Sequence, residues 1–174
     1  LEQQAASAAV AVLHALAPVE SILLIRRAAN PRDPWSGHWA FPGGRREPFD
    51  DDLIATALRE LREECAIQLP REALARELPP SIAGIRVGRA LTVAPFVFRL
   101  EAQLDPVLAE REAVGSLWIP VDSLRDPARH RWQAVPGLPE QQRFPAIDLS
   151  GMPLWGFTYR VLCDWLGVEI PPAP

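Results

Sequence analysis

Gly43-Gly-Arg-Arg-Glu-Pro-Phe-Asp-Asp-Asp-Leu-Ile-Ala-Thr-Ala-Leu-Arg-Glu-Leu-Arg-Glu-Glu-Cys-Ala-Ile67 is the stretch on which the fold turns. Three aspartates, Asp50, Asp51 and Asp52, stand before an uninterrupted run, where acids favour a helix start by capping and by the macrodipole. The spacing predicts a helix over residues 51–66. At about 100° per residue, Ile54, Ala57, Leu58, Leu61 and Cys65 fall on one stripe, while Glu60, Glu63 and Glu64 share an arc away from it. One face is for burial and the other is a carboxylate cluster. Like charges at i, i+3 and i+4 repel one another, and a hard divalent cation among them reverses that repulsion. Oxygen-only donors select magnesium or manganese rather than zinc. Taken alone, such glutamates also describe a solvated face paired with arginines, as Arg59 and Glu63 would be at i, i+4. The Gly43-Gly44 pair just before the helix tilts the balance, because glycine lets a backbone carbonyl approach the same cation.

Outward from this stretch, residues 8–13 and 21–25 are apolar and partly β-branched, and read as two strands around a loop at residues 14–20. Residues 26–38 hold too much punctuation for a regular element and lead into a turn at Trp39-Ala-Phe-Pro-Gly-Gly44. Residues 91–100 read as a strand, and Pro95 within it predicts an edge or a bulge. A short strand at residues 117–121, a helical start at 121–124, an irregular stretch at 126–144 and a last strand at 144–149 follow. Residues 154–166 predict a last amphipathic helix with Trp155, Phe157, Val161, Leu162 and Trp165 in the core. The chain shows no internal repeat and no long linker, so the expectation is one domain over residues 1–170 with a loose Pro-rich tail at 171–174. Strands, a central helix, more strands and a final helix make an α/β sandwich with a mixed β-sheet.

Composition removes several function classes. Eighteen arginines and no lysine face 22 acids, a net charge of −4, which argues against a nucleic-acid binder that neutralises phosphates wholesale. Without lysine there is no Schiff-base chemistry and no lysine-dependent phosphate loop. Cys65 and Cys163 cannot build a disulfide framework or a Cys-rich zinc site. No run approaches the ~20 apolar residues of a membrane span, so the expected setting is cytoplasmic, without a membrane partner.

The stretch resembles the signature of the Nudix hydrolases, G-x5-E-x7-R-E-U-x-E-E-x-G-U with U aliphatic. Arg59-Glu-Leu-Arg-Glu-Glu64 matches its core. Six residues separate Gly44 from Asp51, which stands where the signature has glutamate, and Ala66 replaces its last glycine. Pro42-Gly-Gly-Arg-Arg-Glu-Pro-Phe-Asp-Asp-Asp52 and Thr56-Ala-Leu-Arg-Glu60 are similar to the subgroup that cleaves coenzyme A, as is the upstream Leu23-Leu-Ile-Arg-Arg27. The resemblance implies a Nudix α/β/α sandwich and metal-dependent hydrolysis of a diphosphate in a small nucleotide conjugate. Coenzyme A or an acyl derivative is the leading substrate, giving 3′,5′-ADP and a 4′-phosphopantetheine product. ADP-ribose, a dinucleotide or a nucleoside triphosphate stay open, as does a non-catalytic nucleotide-sensing module and a homodimeric assembly.

Roles follow from the same resemblance. Glu60, Glu64 and the Gly44 carbonyl would hold Mg2+ or Mn2+, with Glu63 completing the site or holding a second ion. Arg59 would orient a carboxylate, with Asp51 as its partner. The family places its general base variously, and Glu112 is the candidate outside the helix, with Glu110 as the alternative. Arg27, Arg32, Arg45 and Arg46 flank the Gly-Gly pair and could fork onto phosphates, although each also suits an exposed surface. Phe41, Trp35 and Trp39 are candidates to contact a base or to pack beneath the loop, and His38 is either a substrate contact or an ordinary loop histidine.

Overall fold

The structure is a computed structural model that describes residues 5–33, 35–85 and 88–174. Its largest sheet is organised on β1 (Ala8–Ala17), which pairs antiparallel with β2 (Ser21–Arg27) and parallel with β7 (Leu91–Ala102) from Ala8↔Val93 to Ala17↔Ala102. The start of β1 also takes β4 (Gly43–Arg45) antiparallel, with Ala9 opposite Gly44. β2 carries β3 (Trp39–Ala40) and β8 (Ala113–Pro120), and β7 carries β5 (Leu74–Glu77) and β6 (Ser81–Ala83). A second, antiparallel sheet joins β9 (His130–Gln133), β10 (Phe144–Leu149) and β11 (Met152–Trp155).

Strand alternation gives the large sheet two apolar faces. Ala9, Ala11, Leu13, Leu23 and Ile25 bury against Ala57, Leu61 and Cys65 of α1 (Leu53–Cys65). Val12, Ile22, Leu24 and Ile119 bury against the second sheet and α3 (Gly156–Leu166), through Leu154, Tyr159 and Leu162. A one-turn α2 (Val121–Arg125) links β8 to this layer. The mixed-sheet sandwich expected from the sequence is the fold observed. No helix among the described residues is long and apolar enough to cross a membrane.

The central helix starts and stops for local reasons. Asp52 caps it, Oδ1 accepting from Ala55 N (2.8 Å), and Ala66 ends it in the left-handed region at φ 54° with its N–H on the Arg62 carbonyl. An L-residue with a Cβ is disfavoured there by roughly 1 kcal/mol. Ala66→Gly is therefore expected to stabilise the protein by about 0.5–1 kcal/mol in denaturant titration, and a loss of stability would contradict this account of the helix end.

Other segments differ from expectation. β1 continues through His14 to Ala17, because β7 offers it a partner along that whole length. Pro95 lies opposite Val10, inside the sheet rather than on an edge. Its carbonyl accepts from Leu78 N (3.0 Å), so its missing N–H falls where the neighbouring strand is broken between β5 and β6. The expected turn at residues 39–44 is two short strands, β3 and β4. The stretch read as irregular, residues 126–144, holds β9, and β5 and β6 fill the segment between α1 and β7. Leu154 and Trp155 belong to β11 rather than to α3. At the Pro-rich end, the Pro171 carbonyl accepts from Trp132 Nε1 (2.9 Å).

Candidate active site

Arg59 is the hub of the polar face of α1. Its Nε and Nη2 grip Asp50 through Oδ1 and Oδ2, both at 3.0 Å. Its Nη1 donates to Glu60 Oε1 (2.9 Å) and Glu63 Oε2 (3.0 Å), and Nη2 also donates to the Arg45 carbonyl (3.0 Å). Phe49 lies against the guanidinium, 5.7 Å from Cζ to the ring centroid. The partner expected from the sequence was Asp51, and this is corrected to Asp50. Asp50 is buried and accepts further from Glu47 N and Thr56 Oγ1, both at 2.9 Å, whereas Asp51 is exposed. The Arg59 guanidinium beside Asp50 holds its carboxyl well below the usual carboxylate range, against the opposing effect of burial. Five residues thus separate this acid from Gly44, and the extra residue of this chain falls between it and Arg59.

Glu60 and Glu64 project from α1 towards β4. A Cβ built on Gly44 would collide with the Glu60 carboxylate, and one on Gly43 would collide with the Ala9 carbonyl. Neither glycine has a positive φ, so both are needed for close approach. Glu64 is 5% exposed, and its Oε1 accepts from Gly43 N (3.2 Å). Burial pushes its carboxyl up to about 8, against the pull of that N–H and of Arg27, with the charges of Glu60 and Glu112 adding to the rise. Burial also raises Glu60, against the effect of Arg59. Glu63 is half exposed and faces solvent beside Glu60. Glu112 is exposed at the head of β8, close enough for its charge to act on both Glu60 and Glu64, and its carbonyl is tied to Ala28 N (2.8 Å).

Among the described residues no three acidic, His or Cys side chains close into a ready cation cage. The donor set nevertheless suits a hard divalent cation. Two desolvated carboxylates, short of compensating positive charge, meet a strand stripped of side chains at the point of contact, and every donor is oxygen.

Beside β4 opens a cavity of about 420 Å³. Gly43, Gly44, Arg27 and Arg45 form its wall next to the glutamates, and Trp35, Trp132, Trp155 and Phe157 supply aromatic surface. Arg27 is braced by Asp33, Nε to Oδ2 at 2.8 Å. Arg32 and Phe41 are not in this wall. Arg32 is exposed on the preceding loop, and Phe41 is 3% exposed in the core with Trp39, whose Nε1 donates to the Leu149 carbonyl (3.2 Å). Arg46 is spent on the Asp50 and Asp51 carbonyls.

His38 is buried at the cavity edge. Trp155 Nε1 can only donate, so His38 Nδ1 accepts from it (3.2 Å), and Nε2 donates to the Pro136 carbonyl (3.1 Å). Burial lowers its pKa from the usual value and keeps the ring neutral, so it fixes Trp155 in the wall. Cys65 is buried, its thiol pushed up to about 12 by desolvation, and it packs as an apolar residue. Asp50, Trp132 and the first turn of α3 are parts of the site that sequence reasoning missed. The three adjacent aspartates were the only signal for the first, and the start of the last helix at Trp155-Gly-Phe-Thr158 was read as core rather than as site.

The NUDIX domain family model matches residues 6–141. The Nudix hydrolase NudL of Pectobacterium atrosepticum is 34% identical over 170 residues, covering 90% of this chain and 79% of that protein. An uncharacterized protein of Schizosaccharomyces pombe is 36% identical over 110 residues, 61% of this chain, which spans only 33% of that protein's length. A MutT/nudix family protein from Enterococcus faecalis shares the fold with a TM-score of 0.62 at 17% identity, over 93% of this chain and 61% of that one. The NUDIX domain of Shewanella oneidensis NrtR, solved with ADP ribose, gives 0.56 at 21% identity over 70% and 77%. With the signature, the sandwich and the family match falling on the same residues, the chain belongs to the Nudix hydrolase family.

Proposed function

We propose that the protein hydrolyses the diphosphate of a nucleotide conjugate, with coenzyme A or acyl-coenzyme A as the preferred substrate. The observation that carries this reading is the meeting of Glu60 and Glu64 with the Gly43-Gly44 strand at the wall of an arginine-bearing, aromatic cavity. The preference for coenzyme A is supported by the wording of residues 42–60 and is the finer part of the proposal.

Glu60, Glu64 and the Gly44 carbonyl would hold Mg2+ or Mn2+, with Glu63 at its solvent side. The ion would offset charge developing on the diphosphate and acidify the attacking water. Arg59, locked by Asp50, keeps Glu60 aimed at β4. Arg27 and Arg45 would fork onto the diphosphate oxygens. Glu112, exposed and within electrostatic reach of both glutamates, would take the proton from water. Arg32 and Phe41 have no part in this scheme.

The test is incubation with magnesium or manganese and, separately, coenzyme A, ADP-ribose and a nucleoside triphosphate, with products identified by mass. Release of 3′,5′-ADP and 4′-phosphopantetheine is the expected result. Turnover of ADP-ribose with coenzyme A left intact would overturn the substrate, and no turnover of any of them would favour a nucleotide-sensing module. In the same assay Glu112→Gln is expected to lower kcat by about 10²–10⁴. An unchanged kcat would remove Glu112 from the mechanism.

A further inference from the structure

The cavity has a second cationic end that diphosphate cleavage does not use. Among the described residues its wall holds Arg27, Arg45 and Arg160 and no aspartate or glutamate. Arg27 and Arg45 stand with the glutamates, but Arg160 stands across the sheet from them. Arg45 of β4 is opposite Ala8 of β1, Ala8 is opposite Val93 of β7, and Val93 is opposite Ser81 of β6. Three strand spacings put β6 roughly 14 Å from β4. Arg160 is fastened to that far strand, Nη2 donating to the Ile82 carbonyl (2.8 Å). That bond occupies one of its five N–H groups and leaves the rest of the fork free of any acidic partner among the described residues.

The first turn of α3 faces the same space. Gly156, Phe157 and Thr158 line the cavity, the cap residue Trp155 supplies no side-chain hydrogen bond to the helix N–H groups, and the turn contains no acid. Its free N–H groups and the positive end of the helix dipole are therefore open to a ligand. A Cβ on Gly156, which adopts φ 66°, would meet nothing within 4 Å, so the glycine serves the backbone turn and the space before it is clear. Thr158 gives an independent sign. It is 6% exposed and lines the cavity, yet its hydroxyl makes no hydrogen bond among the described residues. The hydroxyl is open to the cavity rather than sealed in, so an anion there finds donors in this hydroxyl, in the helix N–H groups and in the guanidinium fork.

We propose that Thr158, Arg160 and the first turn of α3 form a second anion subsite, which holds a phosphomonoester of the substrate separate from the diphosphate that is cleaved. Substrates bearing that extra phosphate are selected over those without it. The inference rests on the diphosphatase reading for what occupies the other end of the cavity.

Calorimetric titration in magnesium buffer with adenosine 3′,5′-bisphosphate and with adenosine 5′-monophosphate isolates the group, since the two differ by one phosphomonoester. The bisphosphate is expected to bind at least about ten-fold more tightly, as a charge-assisted contact to one more phosphate requires. Arg160→Ala, at an exposed position, and the isosteric Thr158→Val are each expected to shrink that ratio at least about three-fold. Equal affinities in the parent protein, a ratio untouched by both substitutions, or no binding of either nucleotide at millimolar concentration would overturn the subsite. A preserved bisphosphate preference in a protein that hydrolyses no diphosphate would instead discard the diphosphatase reading alone.

Discussion

Glu64→Gln is expected to abolish hydrolysis and at the same time to raise the melting temperature of the metal-free protein. The loss of turnover should reach roughly 10³-fold or more, the scale on which a charge-stabilising group is lost from an active site. The gain in stability has a separate origin. Glu64 ionises at about 4.5 in an unfolded chain, while in the fold burial holds its proton to about 8. A group whose folded pKa is raised binds more protons folded than unfolded, so the metal-free fold loses stability as pH climbs from about 4.5 to about 8 and levels off above. At pH 8.5 the ionised side chain costs on the order of 2–4 kcal/mol, or several degrees in a chain of this size. Glutamine carries no charge and can still accept from Gly43 N. Melts at pH 6 and pH 8.5, with chelator and with magnesium, provide the check. The variant should exceed the parent most at the higher pH, and magnesium should stabilise the parent alone. A variant that melts no higher at pH 8.5, or one that magnesium stabilises as strongly, would remove Glu64 from the metal site.

Asp50→Ala is expected to cost about 3–5 kcal/mol, against no more than about 0.5 kcal/mol for Asp51→Ala. Removing the Asp50 carboxylate takes the partner of Nε and Nη2 from an Arg59 side chain that is 11% exposed, and it leaves Thr56 Oγ1 and Glu47 N without their acceptor. Asp51 offers only its exposed side chain, because its carbonyl, which Arg46 holds, survives substitution. The Asp50 carboxyl titrates far below its unfolded value of 3.8. Its stabilising effect is therefore complete above pH 3.8 and fades only in strong acid. Urea titrations of the two variants decide the matter. Equal losses, or a larger loss for Asp51→Ala, would restore the pairing read from the sequence.

That pair of aspartates shows where sequence reading stopped. Helix α1 was legible because Ala57, Leu61 and Cys65 keep helical spacing over its whole length, and no other element explains that period. Which of three adjacent aspartates turns inward is a property of the turn at residues 47–50, and neighbouring residues of identical chemistry carry no signal for it. The strands β5, β6, β9 and β11 have four residues or fewer each, too short for alternation to stand out. The Gly-Gly pair was read correctly as a place of close approach and incorrectly as a turn, since glycine serves both purposes. Phe41 looked like a ligand contact because it borders the motif, but it packs with Trp39 in the core. Arg160 meets Ile82 only through the docking of α3 on β6, which no local pattern encodes.

The parallel pairing of β1 with β7 also governs when the molecule can become active during synthesis. β1 finds β2 soon after leaving the ribosome, but its other long edge stays open until β7 arrives roughly eighty residues later. During that interval Ala9, Ala11, Val12 and Leu13 stand on an unpaired apolar edge. The nascent chain thus passes through a window of aggregation risk set by topology alone, and slower growth at low temperature should raise the soluble yield.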